Sequence, residues 1–410
     1  MKSIVADKTK TEQAMEREER YGAHNYHPLP VVLERGEGIY VWDVEGRKYV
    51  DFLSAYSALN QGHNHPVIVK ALTDQVQKLS LTSRAFYNNA LGEYEEFITR
   101  YFGYQKVLPM NTGAEGVETA IKLCRKWAYE KKGIPAPEAK IIVCEGNFHG
   151  RTLAAVSISS DPESYDGFGP YLPGFVKIPY NDTAALAEAL KDPGVAGFLV
   201  EPVQGEAGVV VPDEGYLRTC YDLCKAKNVL FIADEIQSGL GRTGKLLACD
   251  YDEVRPDILI LGKALAGGLL PVAAVLADDD IMLCILPGQH GSTYGGNPLA
   301  AKVAISSLQV IKDEKLVENS ERLGKILLEE LKSIRHEMIR LVRGKGLFCA
   351  MVINPYKGKD AWDLCIALKE NGLLAKPTHG DIIRFAPPLI ITESQLRDCI
   401  DIIKKTVAEF

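Results

Sequence analysis

From about residue 90 onward, short apolar runs alternate with helical stretches, and this alternation restricts the fold more than any other feature. The apolar runs cover residues 106–109, 141–144, 176–178, 197–200, 229–233 and 258–261; helical spacing covers 91–102, 116–130, 183–190 and 216–225. Strands that take turns with helices predict an α/β fold with a mostly parallel central sheet, covered by helices on both faces. Ahead of this region, residues 31–53 (VVLERGEGIYVWDVEGRKYVDFL) alternate around two glycine turns, as a small antiparallel meander does. Behind it come two long helical stretches, 299–311 and 316–334, then strands within 340–353 and 382–386 and helices over 362–371 and 393–409. The expected division is an N-terminal arm and meander (1–56), a large domain (57–313) and a smaller α+β C-terminal domain (314–410).

The most apolar stretch, ILILGKALAGGLLPVAAVL, holds a single charge in its nineteen residues and is long enough to imitate a membrane span. Lys263 lies inside it, Gly267, Gly268 and Pro271 interrupt it, and acidic residues flank it, so two buried strands joined by a turn fit better. A lysine placed in such surroundings is the first chemical clue, because lysine is rarely buried without a reason.

In an open α/β sheet, ligands gather at the carboxyl ends of the strands. The residues that follow the apolar runs are Asn111-Thr-Gly-Ala114, Gly146-Asn-Phe-His-Gly-Arg151, Glu201, Asp234-Glu235 and Lys263. Desolvation lowers a lysine pKa and makes its amine nucleophilic toward carbonyls, although a snorkelling lysine at a strand end would look the same. Asp234 needs a cationic partner or several donors in its apolar setting; a protonated ring nitrogen is one such partner, and an ordinary ion pair or helix cap is another. The start of the helix after Thr112 offers free N–H groups to a phosphate, or is a plain cap. Phe148 could stack on a flat ring or fill the core. The loop HGSTYGGNP at 290–298 could supply a hydroxyl.

Other motifs carry less. GLGRTG at 239–244 matches a dinucleotide fingerprint, but only KLLACDYDEV separates it from Pro256, too little for the crossover helix that fingerprint requires. His63 and His65 lack further ligands at metal spacing, so loop histidines and no metal are expected. Cys220 and Cys224 lie four apart on a helix, as packed thiols rather than a bridge. The nine cysteines are scattered singly, as reduced, mostly buried thiols. With 47 basic and 54 acidic residues well mixed, the net charge of −7 points away from nucleic acid. The first twenty residues are rich in Glu and Asp, which presequences avoid, so a cytoplasmic, non-membrane protein is expected.

Single signals are weak, but their order along the chain is specific. A phosphate-binding helix start, an aromatic ring, Glu201, Asp234, Lys263 and a Ser-Thr loop follow one another as in the fold-type I pyridoxal-phosphate enzymes. The stretches VLPMNTGAE, GNFHGRT, VEPVQGEAGVVVPD, LFIADEIQSGLGRTG, RPDILILGKAL, HGSTYGGNPLA and NGLLAKPTHGDIIRFAPPL make the chain resemble the class III ω-aminotransferases over roughly residues 21–390. The resemblance implies pyridoxal 5'-phosphate held by Lys263, with Asp234 on the pyridine nitrogen, Phe148 stacked on the ring and Gln237 on the ring hydroxyl. It implies that Gly113 and Ala114 bind the phosphate through backbone N–H groups, and that Glu201 helps to position the group. Thr293 of a neighbouring subunit would complete the phosphate site, making a homodimer or higher homo-oligomer the active form.

The substrate positions resemble those of family members that move the δ-amine of ornithine to 2-oxoglutarate. Tyr26 would bind the α-amino group, Arg151 the α-carboxylate, and Tyr56 the channel wall. Arg384 would receive the α-carboxylate of glutamate at the reacting centre, and Glu206 would neutralise Arg384 while ornithine reacts. Acetylornithine, 4-aminobutyrate or lysine as amino donor, and a non-catalytic binding protein, are the alternatives. The part of His149 in the site wall is left open.

Overall fold

The computed structural model describes residues 8–410. A seven-stranded sheet runs through the large domain in the order Lys106–Met110, Ala273–Ala277, Ile258–Leu261, Leu230–Asp234, Val195–Val200, Lys140–Cys144, Phe175–Ile178. Ala273–Ala277 pairs antiparallel with both of its neighbours, and the other neighbours pair parallel. The expected α/β fold and its predicted strands are therefore present, with boundaries shifted by a residue or two. Strands buried on both faces explain the unbroken apolar runs: every residue of Val195–Val200, Leu230–Asp234, Ile258–Leu261 and Ala273–Ala277 is buried.

The membrane-like stretch resolves into two of these strands. Between them a short 3₁₀ turn spans Lys263–Ala266, followed by Gly267 and Gly268 at positive φ. No helix among the described residues is long and apolar enough to cross a membrane.

The predicted meander is Leu33–Glu37, Tyr40–Asp43 and Lys48–Asp51, paired antiparallel. A fourth strand escaped the sequence reading: the two residues Leu373–Leu374 pair parallel with Lys48–Asp51 and join the C-terminal part to the N-terminal sheet. A further four-stranded sheet, Ile339–Lys345, Phe348–Ile353, Ile382–Phe385 and Lys376–Thr378, packs against the helices Leu316–Ser333 and Ala361–Glu370, which Glu393–Ala408 contacts in turn. It brings Arg384, on the strand Ile382–Phe385, toward the carboxyl ends of the large sheet.

Two helices of three turns or more, and several shorter ones, were not anticipated. Lys10–Tyr21 buries none of its residues, so it carries no apolar stripe to detect; a capping box between Thr9 and Glu12 marks its start. Pro66–Val76 begins with proline at its first turn, a position that helices tolerate. The helix expected over 116–130 starts earlier, at Gly113, where Thr112 and Glu115 form a capping box, and after Trp127 it passes into a π turn, Ala128–Lys132.

Candidate active site

The site lies where the parallel strands end. Register sets Val200 beside Ala233 and Asp234 beside Ile260, so Glu201, Asp234 and Lys263 emerge from adjacent strand ends. Lys263 has φ of +45°, a left-handed conformation that costs a non-glycine residue of order 1 kcal/mol or more and is tolerated where surrounding structure enforces it. Its amine reaches a cavity of about 600 Å³ lined also by Tyr26, Tyr56, Phe148, Arg151, Glu206 and Arg384. On the other side Lys263 borders a second cavity of about 410 Å³, lined by Asn111, Thr112, Gly113 and the segment 268–272. Burial pushes the Lys263 amine below the ordinary lysine range, against the pull of the carboxylates Glu206 and Asp234. The neutral, nucleophilic form is thereby favoured.

Asp234 is 4% exposed. Its Oδ1 accepts the Ile236 N–H at 3.1 Å and its Oδ2 faces His149 Nδ1 at 2.7 Å. Glu201, next to it, accepts N–H groups of Phe148 (2.8 Å) and Gly205 (3.3 Å). Burial nevertheless lifts the Glu201 carboxyl to about 7, with the neighbouring His149 pulling the other way. Phe148 is half-buried and lines the larger cavity, so it presents a face rather than filling the core.

At the second cavity, the Glu115 carboxylate takes the N–H groups of Asn111 and Thr112, and Thr112 Oγ1 takes that of Glu115. The N–H groups of Gly113 and Ala114 have no acceptor among the described residues, which leaves two donors at a helix N-terminus. A Cβ on Gly113 would meet Ile236 Cδ1 at 2.8 Å, so a side chain there would crowd the wall beneath this end of the site.

The substrate side centres on an ion pair. Arg384 Nη1 and Glu206 Oε1 lie 2.6 Å apart, with the side chains 4% and 21% exposed. Burial alone would raise the Glu206 carboxyl, but Arg384, Lys263 and Gln237 together hold it below the usual glutamate range. The loop that carries Glu206 approaches closely: a Cβ on Gly205 would stand 1.8 Å from Gln237 Oε1, so a side chain there would push the Gln237 amide out of place. The Arg384 guanidinium also sits 5.0 Å from the Tyr56 ring centre. Tyr56 itself belongs to a left-handed run, Ser54 to Ser57, with φ of 49°, 45°, 60° and 73°. Such a run without glycine is costly, of order 1–2 kcal/mol per residue. Asp51 Oδ1 accepts the N–H groups of Leu53 and Ser54, and Gln237 Nε2 donates to Tyr56 O at 3.3 Å. These contacts hold the turn and aim Tyr56 into the cavity.

Tyr26 and Arg151 line the cavity mouth and are exposed; the Arg151 guanidinium lies 5.4 Å from the Phe148 ring centre. Thr293 is exposed and lines neither cavity of its own chain, whereas its neighbour Ser292 accepts from Asn111 Nδ2 at 2.8 Å. Sequence reading missed Glu163, Phe168, Lys376 and His379, which also line the larger cavity. Lys376 and His379 fall within NGLLAKPTHGDIIRFAPPL, so that stretch held the signal. Glu163 lies in the one-turn helix Pro162–Tyr165, too short to carry a period, and Phe168 in the loop that follows it.

The remaining motifs have structural partners. His63 pairs with Asp51 at 2.8 Å and His65 with Glu314 at 2.9 Å. GLGRTG forms turns rather than a helix start, and its Arg242 is fully buried. All nine cysteines are free and buried, Cys220 and Cys224 among them.

A nucleophilic lysine, a buried carboxylate, free helix-end donors and a neutralised arginine at one sheet end match the family to which the sequence compares. The chain belongs to the class-III aminotransferases, whose family model matches residues 21–407. It is 62% identical over 405 residues to the mitochondrial ornithine aminotransferase of Drosophila melanogaster, covering 99% of this chain and 94% of that one. A solved ornithine aminotransferase from Toxoplasma gondii superposes with a TM-score of 0.96 at 48% identity, over 98% of both chains, and is described with pyridoxal phosphate (PLP) at its active site. The acetylornithine aminotransferase of Elizabethkingia anophelis superposes at 0.90 with 60% identity, over 98% of this chain and all of that one. The cytoplasmic expectation is overturned here. Several of the similar ornithine aminotransferases are named as mitochondrial, so the acidic N-terminal stretch is no guide to compartment.

Proposed function

We propose that the protein transfers the δ-amino group of L-ornithine to 2-oxoglutarate, with pyridoxal 5'-phosphate as cofactor. The products are glutamate and glutamate 5-semialdehyde, which cyclises to pyrroline-5-carboxylate. The observation that carries this reading is the Glu206–Arg384 pair facing Lys263 across a cavity that also holds Tyr26 and Arg151.

The residues fit the cofactor. Two unpartnered N–H groups at Gly113 and Ala114 suit its phosphate, Asp234 its pyridine nitrogen, Gln237 its ring hydroxyl and Phe148 its flat face, with Glu201 positioning the group. Bound there, it supplies an electron sink for the pair released at the substrate carbon. Lys263 would anchor it, and its freed amine would take the proton from the δ-carbon of ornithine and later return it, acting as base and then acid. The lowering of its pKa by burial favours that task.

Ornithine enters with its α-amino group toward Tyr26 and its α-carboxylate on Arg151, where a guanidinium offers two parallel donors. Tyr56 lines the channel. Glu206 meanwhile neutralises Arg384, so no free cation draws the α-carboxylate to the reacting end. In the second half-reaction 2-oxoglutarate brings its own carboxylate to Arg384, and Glu206 withdraws. Such a gate selects between two substrates by pairing a charge rather than by moving a wall.

The division at residues 56 and 313 belongs to the same proposal, as does a homodimer or larger assembly in which Thr293 of the partner subunit completes the phosphate site. Its exposure and its absence from both cavities of its own chain support that arrangement.

Acetylornithine as donor is a second reading, favoured by the likeness to the Elizabethkingia enzyme. Parallel assays of ornithine, acetylornithine and 4-aminobutyrate with 2-oxoglutarate decide between them: ornithine is expected to dominate, and faster turnover of acetylornithine would replace this assignment. Lys263→Ala is expected to lose the visible absorbance of the bound cofactor together with turnover.

A further inference from the structure

Behind the face that receives the cofactor stands a group for which the proposed reaction has no role. His149 is 3% exposed and its side chain fully buried. Its Nδ1 lies 2.7 Å from Asp234 Oδ2. Toward an ionised Asp234 only a ring carrying a proton on Nδ1 makes this bond. The opposite ring nitrogen, Nε2, is buried and has no partner among the described residues. An aromatic hydrocarbon at this position would fill the space without stranding a polar atom, so packing does not account for an imidazole.

Two charged groups face the ring: Asp234 at the end of Leu230–Asp234 and Glu201 at the end of the adjacent strand. Burial opposes a charge on His149, but the bond to Asp234 and the two carboxylate charges outweigh it and hold the imidazole above its ordinary pKa. The Asp234 carboxylate is thus gripped at both oxygens, by His149 at one and by the Ile236 N–H at the other. Its plane is fixed before any ligand arrives, and a preorganised acceptor loses nothing to reorientation when a ring nitrogen docks.

We infer that His149 is a positioning residue for the cofactor: through its Nδ1–H it orients the Asp234 carboxylate toward the pyridine nitrogen. The inference rests on the pyridoxal-phosphate reading of the site and deepens it. No proton needs to leave His149 during turnover.

The test compares two isosteric replacements in the holoenzyme, His149→Asn and His149→Leu. The asparagine amide can place a donor near the position of Nδ1; leucine has the same shape and no donor. His149→Leu is expected to release the cofactor about tenfold faster or more on dilution, the order of a lost hydrogen bond to a charged group. It should also displace the pH at which the visible absorbance changes. His149→Asn should stay within about threefold of the wild-type release rate, since the bond is kept. Equal release rates and superimposable absorbance–pH curves for the two variants overturn the inference. Should the leucine variant not fold, the wild-type holoenzyme labelled with ¹⁵N-histidine decides. A hydrogen-bonded Nδ1 proton that shifts when the cofactor is removed is expected, and its absence overturns the inference. A wild-type protein with no cofactor absorbance would instead defeat the reading of the site itself.

Discussion

Arg384 and Glu206 are 178 residues apart in sequence, yet Nη1 and Oε1 meet at 2.6 Å inside the cavity that Lys263 enters. The pair joins a strand of the C-terminal sheet to a loop that follows a strand of the large one. Its consequence for specificity is direct. Glu206→Ala leaves Arg384 unpaired at the reacting end, where it attracts the α-carboxylate of ornithine and brings the α-amine to Lys263. The ratio of α- to δ-transamination should rise by about tenfold or more, equivalent to roughly 1.4 kcal/mol of changed preference. Chromatographic separation of the two cyclic imine products measures it. Unchanged regiochemistry would remove the gate from the account.

Removing the other partner should act on the other substrate. Arg384→Gln takes away the cation that meets the carboxylate of 2-oxoglutarate, and lysine is no substitute for a forked guanidinium at such a site. The loss in kcat/KM for 2-oxoglutarate should be on the order of 10²–10³, with the ornithine half-reaction falling by less than about tenfold. Single-turnover measurements of each half-reaction separate the two. Equal losses in both would mean that Arg384 supports the cavity as a whole and does not discriminate.

What could be read from the chain and what could not divides along physical lines. Lys263, Asp234 and Glu201 follow apolar runs, and strands that end at one edge of a parallel sheet put their next residues in one place; pattern alone locates them. The strands of the large sheet followed from the same apolar runs to within a residue or two. The Glu206–Arg384 pair has no local signature, since one half sits on a loop beyond the large sheet and the other on a strand of the C-terminal sheet; it came from resemblance to a family. The left-handed turn at Ser54 to Ser57 contains no glycine or asparagine to announce positive φ; Asp51, Gln237 and the turn's own backbone hydrogen bonds hold it. Leu373–Leu374 is too short to carry a period, and the helix Lys10–Tyr21 has no buried face to produce one. The His149–Asp234 bond joins a loop to a strand end 85 residues away, and GNFHGRT alone does not show where the ring points.

Arg242 should prove a structural keystone. It is fully buried, and burial pushes its guanidinium down to about 9. It donates to Leu347 O at 2.8 Å, Pro387 O at 2.7 Å and Asn60 Oδ1 at 2.6 Å, so one side chain satisfies acceptors from three distant segments. Arg242→Met fills similar space but strands all three, at a cost on the order of 3–5 kcal/mol. Scanning calorimetry should show a clear fall in the thermal midpoint, with partial recovery in Arg242→Lys. A methionine variant as stable as the wild type would mean that water replaces the guanidinium at those carbonyls.

Glu235 sets a pH dependence of stability that is separable from catalysis. Its side chain is fully buried, accepting from Ser238 Oγ at 2.5 Å and Cys249 N at 2.8 Å. Burial lifts its carboxyl from 4.5 to about 7, with those hydrogen bonds opposing the rise. Below pH 4.5 the carboxyl is protonated in both folded and unfolded chains, and its contribution to stability is fully present. As the pH rises, the unfolded chain loses the proton first, the folded state then binds more protons, and stability falls until the folded carboxyl ionises near 7. The loss across this window is on the order of 3 kcal/mol. Glu201 shifts in the same direction and remains in either protein, so the informative quantity is the difference in slope. Between pH 4.5 and 7 the thermal midpoint of Glu235→Gln should decline less than that of the wild type, with the gap constant above pH 7. Parallel curves over that range would show that Glu235 is already ionised when folded and that its two donors outweigh burial.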